Sequence, residues 1–377
     1  MNTTSRRSFL LSVGTATTAV GWGWGTNSQL VKAADEPIAT EVISRAVTFL
    51  RSRQEPNGGW STQREVGITA IVLTGLLRSR RVTTSEPSVA KALAWLESRV
   101  GTKGGINEEG RANYATSISL MAFHEANKLG ATRGRYSSLI ADAQKFLKSI
   151  QWDESKKADS TNPFYGGAGY KEGNSRPDLS NTAFFMEALR DTGLPADDPA
   201  LKKALIFVSR CQNLKSEFND QPWAGEVNDG GFIYATARGG ESMAGKDEKG
   251  ALRSYASMTY AGLKSMIYAG LTPDDPRAKA ALAFITKNYT LDENPGLGQQ
   301  GLYYYYMTFA KALAVLNRPT LTDAAGHTHD WRKDLVEALA KRQNPDGSWV
   351  NPADRFMEGD PNLVTGYALL ALTSAAA

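Results

Sequence analysis

The stretch "RAVTFLRSRQEPNGGW", Arg45 to Trp60, decides the fold. Ala46, Phe49 and Leu50 fall at helical spacing with arginines on the opposite face, and Gln54 leads into Asn57-Gly58-Gly59-Trp60. An apolar stripe of that period makes an amphipathic helix, and paired glycines permit a sharp reversal after it. The frame Ala-x-x-aromatic-aliphatic-x-x-x-Gln returns as Ala143/Phe146/Leu147/Gln151 and Ala204/Phe207/Val208/Gln212. Weaker copies are Ala92/Trp95/Leu96 with Val100, Ala281/Phe284/Ile285 with Tyr289, and Leu335/Ala338/Leu339 with Gln343. These frames make six repeats, the self-similarity that marks a closed or stacked array of one supersecondary unit.

A glycine-rich turn follows each frame, as in "YGGAGY" (165–170), "NDGGF" (228–232) and "NPDGSW" (344–349). A second helix then begins around Thr69, Thr116, Thr182, Thr259, Tyr306 and Thr365. The second helices are almost continuously apolar, whereas the first carry a charged face, so the second set is inner and the first outer. The expected architecture is all-α: a single (α/α)6 toroid over residues 38–377, its inner helices parallel and their N-termini at one end.

Residues 1–34 are a separate object. "SRRSFLLSVGTATTAVG" sets Arg6-Arg7 before a short, weakly apolar run, and "VKAAD" offers small residues for cleavage. This is the pattern of a twin-arginine export signal, so the mature protein is expected outside the cytoplasm. Loss of Arg6, Arg7 and Lys32 takes the formal charge from +4 to +1, leaving no basis for nucleic-acid binding. With Cys211 alone, no intramolecular disulfide can form.

The frame followed by Gly-x-Trp resembles the QW motif of the terpenoid-cyclase and protein-prenyltransferase superfamily, from about Val42 to the end of the chain. Squalene-hopene cyclases carry Asp-x-Asp-Asp-Thr-Ala at the start of an inner helix, and Asp178-Leu179-Ser180-Asn181-Thr182-Ala183 stands in that pattern. The resemblance makes the middle position the acid that protonates an alkene or epoxide; here it is Ser180, whose hydroxyl cannot do this. Two-barrel cyclases of the family also enclose their site between domains, which one barrel does not. The zinc site of the prenyltransferases has no counterpart in Cys211, His124, His327 and His329, so no metal or other cofactor is expected. "GLGQQ" (296–300) has Leu297 where a thioester domain has cysteine.

Parallel inner helices aim their unpaired N–H groups at one mouth, which favours anions there. Arg64, Arg111, Arg176, Arg253 and Arg355 recur just upstream of inner helices, interspersed with Glu65, Glu109, Asp178, Glu358 and Asp360. Asp178 and Asp360 serve equally as helix caps or as carboxylates for chemistry. Ser180, Asn181, Asn113, Tyr114, Tyr255, Tyr303, Tyr304, Tyr306 and Asn362 sit in the first turns of inner helices and form the expected ligand lining with Arg176, Arg253 and Arg355. Three readings stay open. One is an isoprenoid-type isomerase or transferase, or a derivative, holding a lipophilic or anionic small molecule, with membrane-surface association an added expectation. A second is a non-catalytic binding or interaction protein. The third is a carbohydrate-active α/α-barrel enzyme with Asp178 and Asp360 as its carboxylate pair.

Overall fold

The computed structural model describes residues 37–106 and 110–376. The export signal and Glu109 lie outside them. Among the described residues the chain forms twelve α-helices: α1 (Pro37–Ser52), α2 (Val66–Arg78), α3 (Pro87–Glu97), α4 (Ala112–Asn127), α5 (Ser137–Ile150), α6 (Leu179–Asp191), α7 (Pro199–Arg210), α8 (Ala256–Tyr268), α9 (Pro276–Lys287), α10 (Leu302–Leu316), α11 (Trp331–Arg342) and α12 (Pro361–Ala375). A two-stranded antiparallel hairpin, β1 (Leu321–Thr322) and β2 (Thr328–His329), pairs Leu321 with His329.

The even-numbered helices pack each on the next, and α12 returns to α2, closing an inner ring. The odd-numbered helices lie outside it, each against inner helices. This is the (α/α)6 toroid expected from the pattern. Buried residues run along almost the whole of α2, α6 and α12, but only along one stripe of α1, α5 and α7.

The repeat frame has a mechanical meaning. Gln54 Nε2 donates to the carbonyl of Gly58 in its own turn, at 2.8 Å, and to that of Ser88 at the start of α3, at 2.7 Å. Gln151 spans Gly166 and Ala200 in the same way, and Gln212 spans Gly230 and Arg277. Gln343 donates to Gly347 and to Val42 of α1, both at 3.0 Å, so the same device joins the last repeat to the first. The threonines of the inner helices complete it, each hydroxyl accepting the N–H of a turn residue: Thr69 from Trp60, Thr116 from Ile106, Thr182 from Ala168, Thr259 from Phe232 and Thr365 from Trp349. Trp60 and Trp349 are fully buried, and their indole N–H groups donate to Leu50 and Leu339 carbonyls. Gly166 shows why the turn needs glycine. Its φ is +85°, and a Cβ there would lie 1.8 Å from the Lys203 carbonyl oxygen of α7.

Candidate functional site

Contacts between helix starts place the inner N-termini at one end. Arg111 pairs with Glu65, joining α4 to α2, and Arg64 reaches Asp360 at 3.5 Å, joining α2 to α12. Asn113 Nδ2 donates to the Asn181 carbonyl and amide oxygens at 3.3 Å, joining α4 to α6. Asn362 Nδ2 donates to Ser61 Oγ at 3.0 Å beside them.

Asp178 is the N-cap of α6. Its Oδ1 accepts the backbone N–H of Asn181 and its Oδ2 the Asn181 amide, both at 2.8 Å. Burial raises its pKa to about 6, against the pull of these donors and of Arg176. Asp360 caps α12 likewise, accepting the N–H of Asn362 at 2.9 Å and of Leu363 at 3.3 Å. Both carboxylates expected to do chemistry therefore satisfy helix ends.

Ser180 faces the lumen. Its hydroxyl shares one hydrogen bond with Tyr114 OH of α4 and another, at 2.8 Å, with Tyr304 OH of α10. Phe184, one turn below, meets the Tyr114 ring at a centroid distance of 5.2 Å and the Tyr304 ring at 6.4 Å, and Tyr304 meets Tyr367 of α12 at 6.0 Å. Tyr114, Tyr304 and Tyr367 lie on inner helices, yet they are only partly buried. The segment 213–250 reaches this end of the barrel. Tyr234 OH bonds Tyr170 OH at 2.7 Å, Glu241 pairs with Arg176, and the Met243 carbonyl accepts from Arg355 at 3.3 Å.

The other expected lining tyrosines, Tyr303, Tyr306 and Tyr255, are buried. Tyr306 is fully buried and donates its hydroxyl to the Leu291 carbonyl at 2.5 Å, and Tyr303 packs edge-on against Tyr306 with centroids 5.6 Å apart. Tyr255 is a buried flanking residue at the start of α8, its phenol pushed far above the ordinary range by burial and by Tyr304 and Asp178. Of the rim arginines, Arg64, Arg111 and Arg176 face acids, and Arg355 donates to Gln300 at 2.8 Å, whereas Arg253 is exposed. The rim is thus largely self-neutralised.

Glu358, which the sequence marks only as one of the rim acids, is a second fully buried acid at this end. It accepts the Tyr304 N–H at 2.8 Å and the Asn351 amide at 2.6 Å, yet burial holds its pKa up at about 7. A second set of charges went unread because α6, α8 and α10 look apolar throughout. Lys264 and Lys311 both pair with Glu187, and Arg78 pairs with Glu125 at 3.1 Å and Asp191 at 2.9 Å. The available signal was spacing: Glu187 follows Ser180, and Lys311 follows Tyr304, by seven residues, so each lies on the same helix face. Two clefts of about 390 and 250 Å3 lie at the outer helices, around Glu97 and Arg135 and around Phe218 and Arg277, away from all these groups. Among the described residues no cluster of three or more His, Cys, Asp or Glu is placed to hold a metal ion.

Known proteins match this architecture. The model of the squalene-hopene cyclase C-terminal domain matches residues 25–172. A type II terpene cyclase from Scytonema, MstE, in complex with geranylgeranyl dihydroxybenzoate, superposes with a TM-score of 0.55 at 14% identity, covering 90% of this chain and 97% of that one. This is the fold of the squalene-hopene cyclase-like superfamily. An inactive variant of an α-1,6-mannanase of Salegentibacter, in complex with α-1,6-mannotriose, superposes with a TM-score of 0.58 at 12% identity, covering 90% of this chain and all of that one. A protein from Actinoplanes gives 0.52 at 16%, covering 90% and 100%. No curated protein matches the sequence. Size does not set this chain apart from cyclases of this fold, because MstE is matched over 97% of its length by one toroid. That overturns the expectation, drawn from two-barrel enzymes, that a single barrel is too small. Ser180 alone therefore stands against standard cyclisation.

Proposed function

We propose that this protein holds a lipophilic, isoprenoid-like molecule at the mouth of its toroid, outside the cytoplasm, without protonating squalene. The reading is carried by the partly buried rings of Tyr114, Tyr304 and Tyr367, with Phe184 beneath, gathered around a serine hydroxyl. Aromatic faces of this kind hold an apolar chain, and Ser180 supplies one polar contact. At the acid's position there is no carboxyl group, and the neighbouring phenols are weaker acids still than free tyrosine because burial raises them. The Arg6-Arg7 pattern supports export. The carbohydrate reading is less well supported, because its carboxylate pair, Asp178 and Asp360, caps helices.

The test is a titration of the mature protein with farnesol, followed by tyrosine fluorescence and native mass spectrometry, with mannotriose and squalene in parallel. Saturable farnesol binding with squalene recovered unchanged is expected. Binding of mannotriose but not farnesol would move the protein to the carbohydrate reading.

A further inference from the structure

We propose that residues 242–250 are a lid over the Ser180 site, latched by Arg355, and that the bound molecule enters and leaves when this flap lifts. This rests on the lipophilic reading above and adds the gate through which that molecule passes. The flap stands between two fixed feet. On one side the Tyr234 carbonyl accepts the N–H of Leu179, the first residue of α6, at 2.8 Å, and the N–H groups of Tyr234 and Ala235 hold the Glu241 carbonyl. On the other, Asn213 Nδ2 donates to the Leu252 carbonyl at 2.7 Å and to Ser254 Oγ at 2.9 Å, just ahead of α8. The flap folds back on this second foot: the Gly245 carbonyl accepts the Arg253 N–H at 3.1 Å, and the Asp247 N–H donates to the Ala251 carbonyl at 2.9 Å. Gly245 to Gly250 are exposed, whereas Met243 and Ala244 turn inward, partly buried against the core.

The leading edge of the flap meets the ring at two places. Glu241 pairs with Arg176, just before α6. Two residues on, Arg355 donates to the Met243 carbonyl at 3.3 Å and lies 3.5 Å from its sulfur, while it also donates to Gln300, just before α10, at 2.8 Å. Because α6, α8 and α10 are consecutive in the inner ring, this edge runs from the α6 rim to the α10 rim across the start of α8. It also stands above the site. The Tyr234 hydroxyl at its foot bonds that of Tyr170, whose ring lies 5.5 Å from that of Tyr114, and Tyr114 and Tyr304 hold Ser180 from α4 and α10. The latch is built to release. Arg355 is exposed, and Arg176 and Glu241 expose 38 and 25% of their side chains. Exposed polar contacts of this kind are weak, and a segment held by few buried contacts is the first to open. The fixed feet confine that opening to 242–250, as lids that admit a ligand and then exclude water require.

The test is stopped-flow mixing of the mature protein with farnesol, alongside amide hydrogen exchange of the ligand-free protein. A latch that holds the flap shut slows entry and exit alike. Arg355→Ala should therefore raise the association and dissociation rate constants together, each about fivefold, the size of one weak hydrogen bond, with Kd nearly unchanged. Arg355→Lys, which keeps a donor for the Met243 carbonyl, should return both rates toward those of the unaltered protein. A residue that only contacts the ligand or supports the fold would instead move Kd. Exchange over 242–250 should quicken in Arg355→Ala while that of α8 stays the same. An unchanged association rate in a variant that still binds farnesol overturns the lid and leaves the lipophilic reading standing. If farnesol does not bind, the lipophilic reading falls, and exchange alone decides on the flap: no quickening over 242–250 overturns the lid, and quickening confined there supports it for whatever molecule the site holds.

Discussion

Ser180 of α6 and Tyr304 of α10 share a 2.8 Å hydrogen bond that passes α8 and bridges the lumen. With Tyr114 on its other side, the serine hydroxyl is held by phenols from two helices. The bridge stands at the position where the superfamily's motif has an acid.

Putting the acid back should therefore not restore acid chemistry. A carboxylate at 180 would accept hydrogen bonds from both phenols, which favours its ionised form and makes it a poor proton donor. The Ser180→Asp variant incubated with squalene should yield no polycyclic product by gas chromatography and mass spectrometry. A product that vanished on further changing Asp178 to Asn would reverse this view and make Asp178 a general acid.

Ring closure should depend on Gln343. Its amide bridges Gly347 and Val42 across the join between last and first repeats, and alanine would leave two carbonyls without that donor. An unsatisfied buried acceptor costs about 1–3 kcal/mol, and these are only partly buried, so a loss of about 2 kcal/mol for Gln343→Ala is expected. A urea midpoint within error of the unaltered protein would show that the join does not rely on this residue.

The glycine turns admit a cleaner comparison. Gly166 and Gly173 both have positive φ, +85° and +78°, but a Cβ at 166 meets Lys203 backbone while one at 173 meets nothing within 4 Å. Alanine at either site bears the left-handed strain of about 1–2 kcal/mol. Only Gly166→Ala must also push α7 away, so its loss of stability should exceed that of Gly173→Ala by about 2 kcal/mol or more. Equal losses in thermal melts would mean that backbone strain alone explains the glycine.

The toroid was legible because its determinants are periodic. Ala46/Phe49/Leu50/Gln54 repeats, and each copy does the same mechanical work, so six weak signals add. The candidate site was legible only in part. First-turn positions identified Tyr114, Ser180 and Tyr304 as a group, but they also nominated Tyr303 and Tyr306. Four consecutive tyrosines point in different directions around a helix, and sequence spacing without a fixed phase cannot say which one faces the axis. Glu187, Lys264 and Lys311 are hard to read for the opposite reason. Single charges within apolar helices do not disturb the pattern that marks those helices as buried, and what compensates them is on other helices, far along the chain.

Glu358 should make the fold less stable as the pH rises. Its carboxyl is fully buried, and burial lifts its pKa to about 7, against an ordinary value of 4.5. The folded state thus binds this proton more tightly than the unfolded chain does. Its contribution to stability is complete below about pH 4.5 and is lost as the pH rises through about 7. A shift of this size corresponds to roughly 2–4 kcal/mol between the two limits. Asp178, raised to about 6, acts in the same sense over a lower window, whereas Glu187, held down by its lysines despite burial, loses stability only toward strong acid. The Glu358→Gln variant keeps an acceptor for the Tyr304 N–H but cannot ionise. Its stability relative to the unaltered protein should therefore improve steadily from pH 5 to pH 8, by about 2 kcal/mol, in urea titrations at matched ionic strength. A difference that stays flat across that range would mean that the N-terminus of α10 stabilises the Glu358 anion enough to cancel its burial.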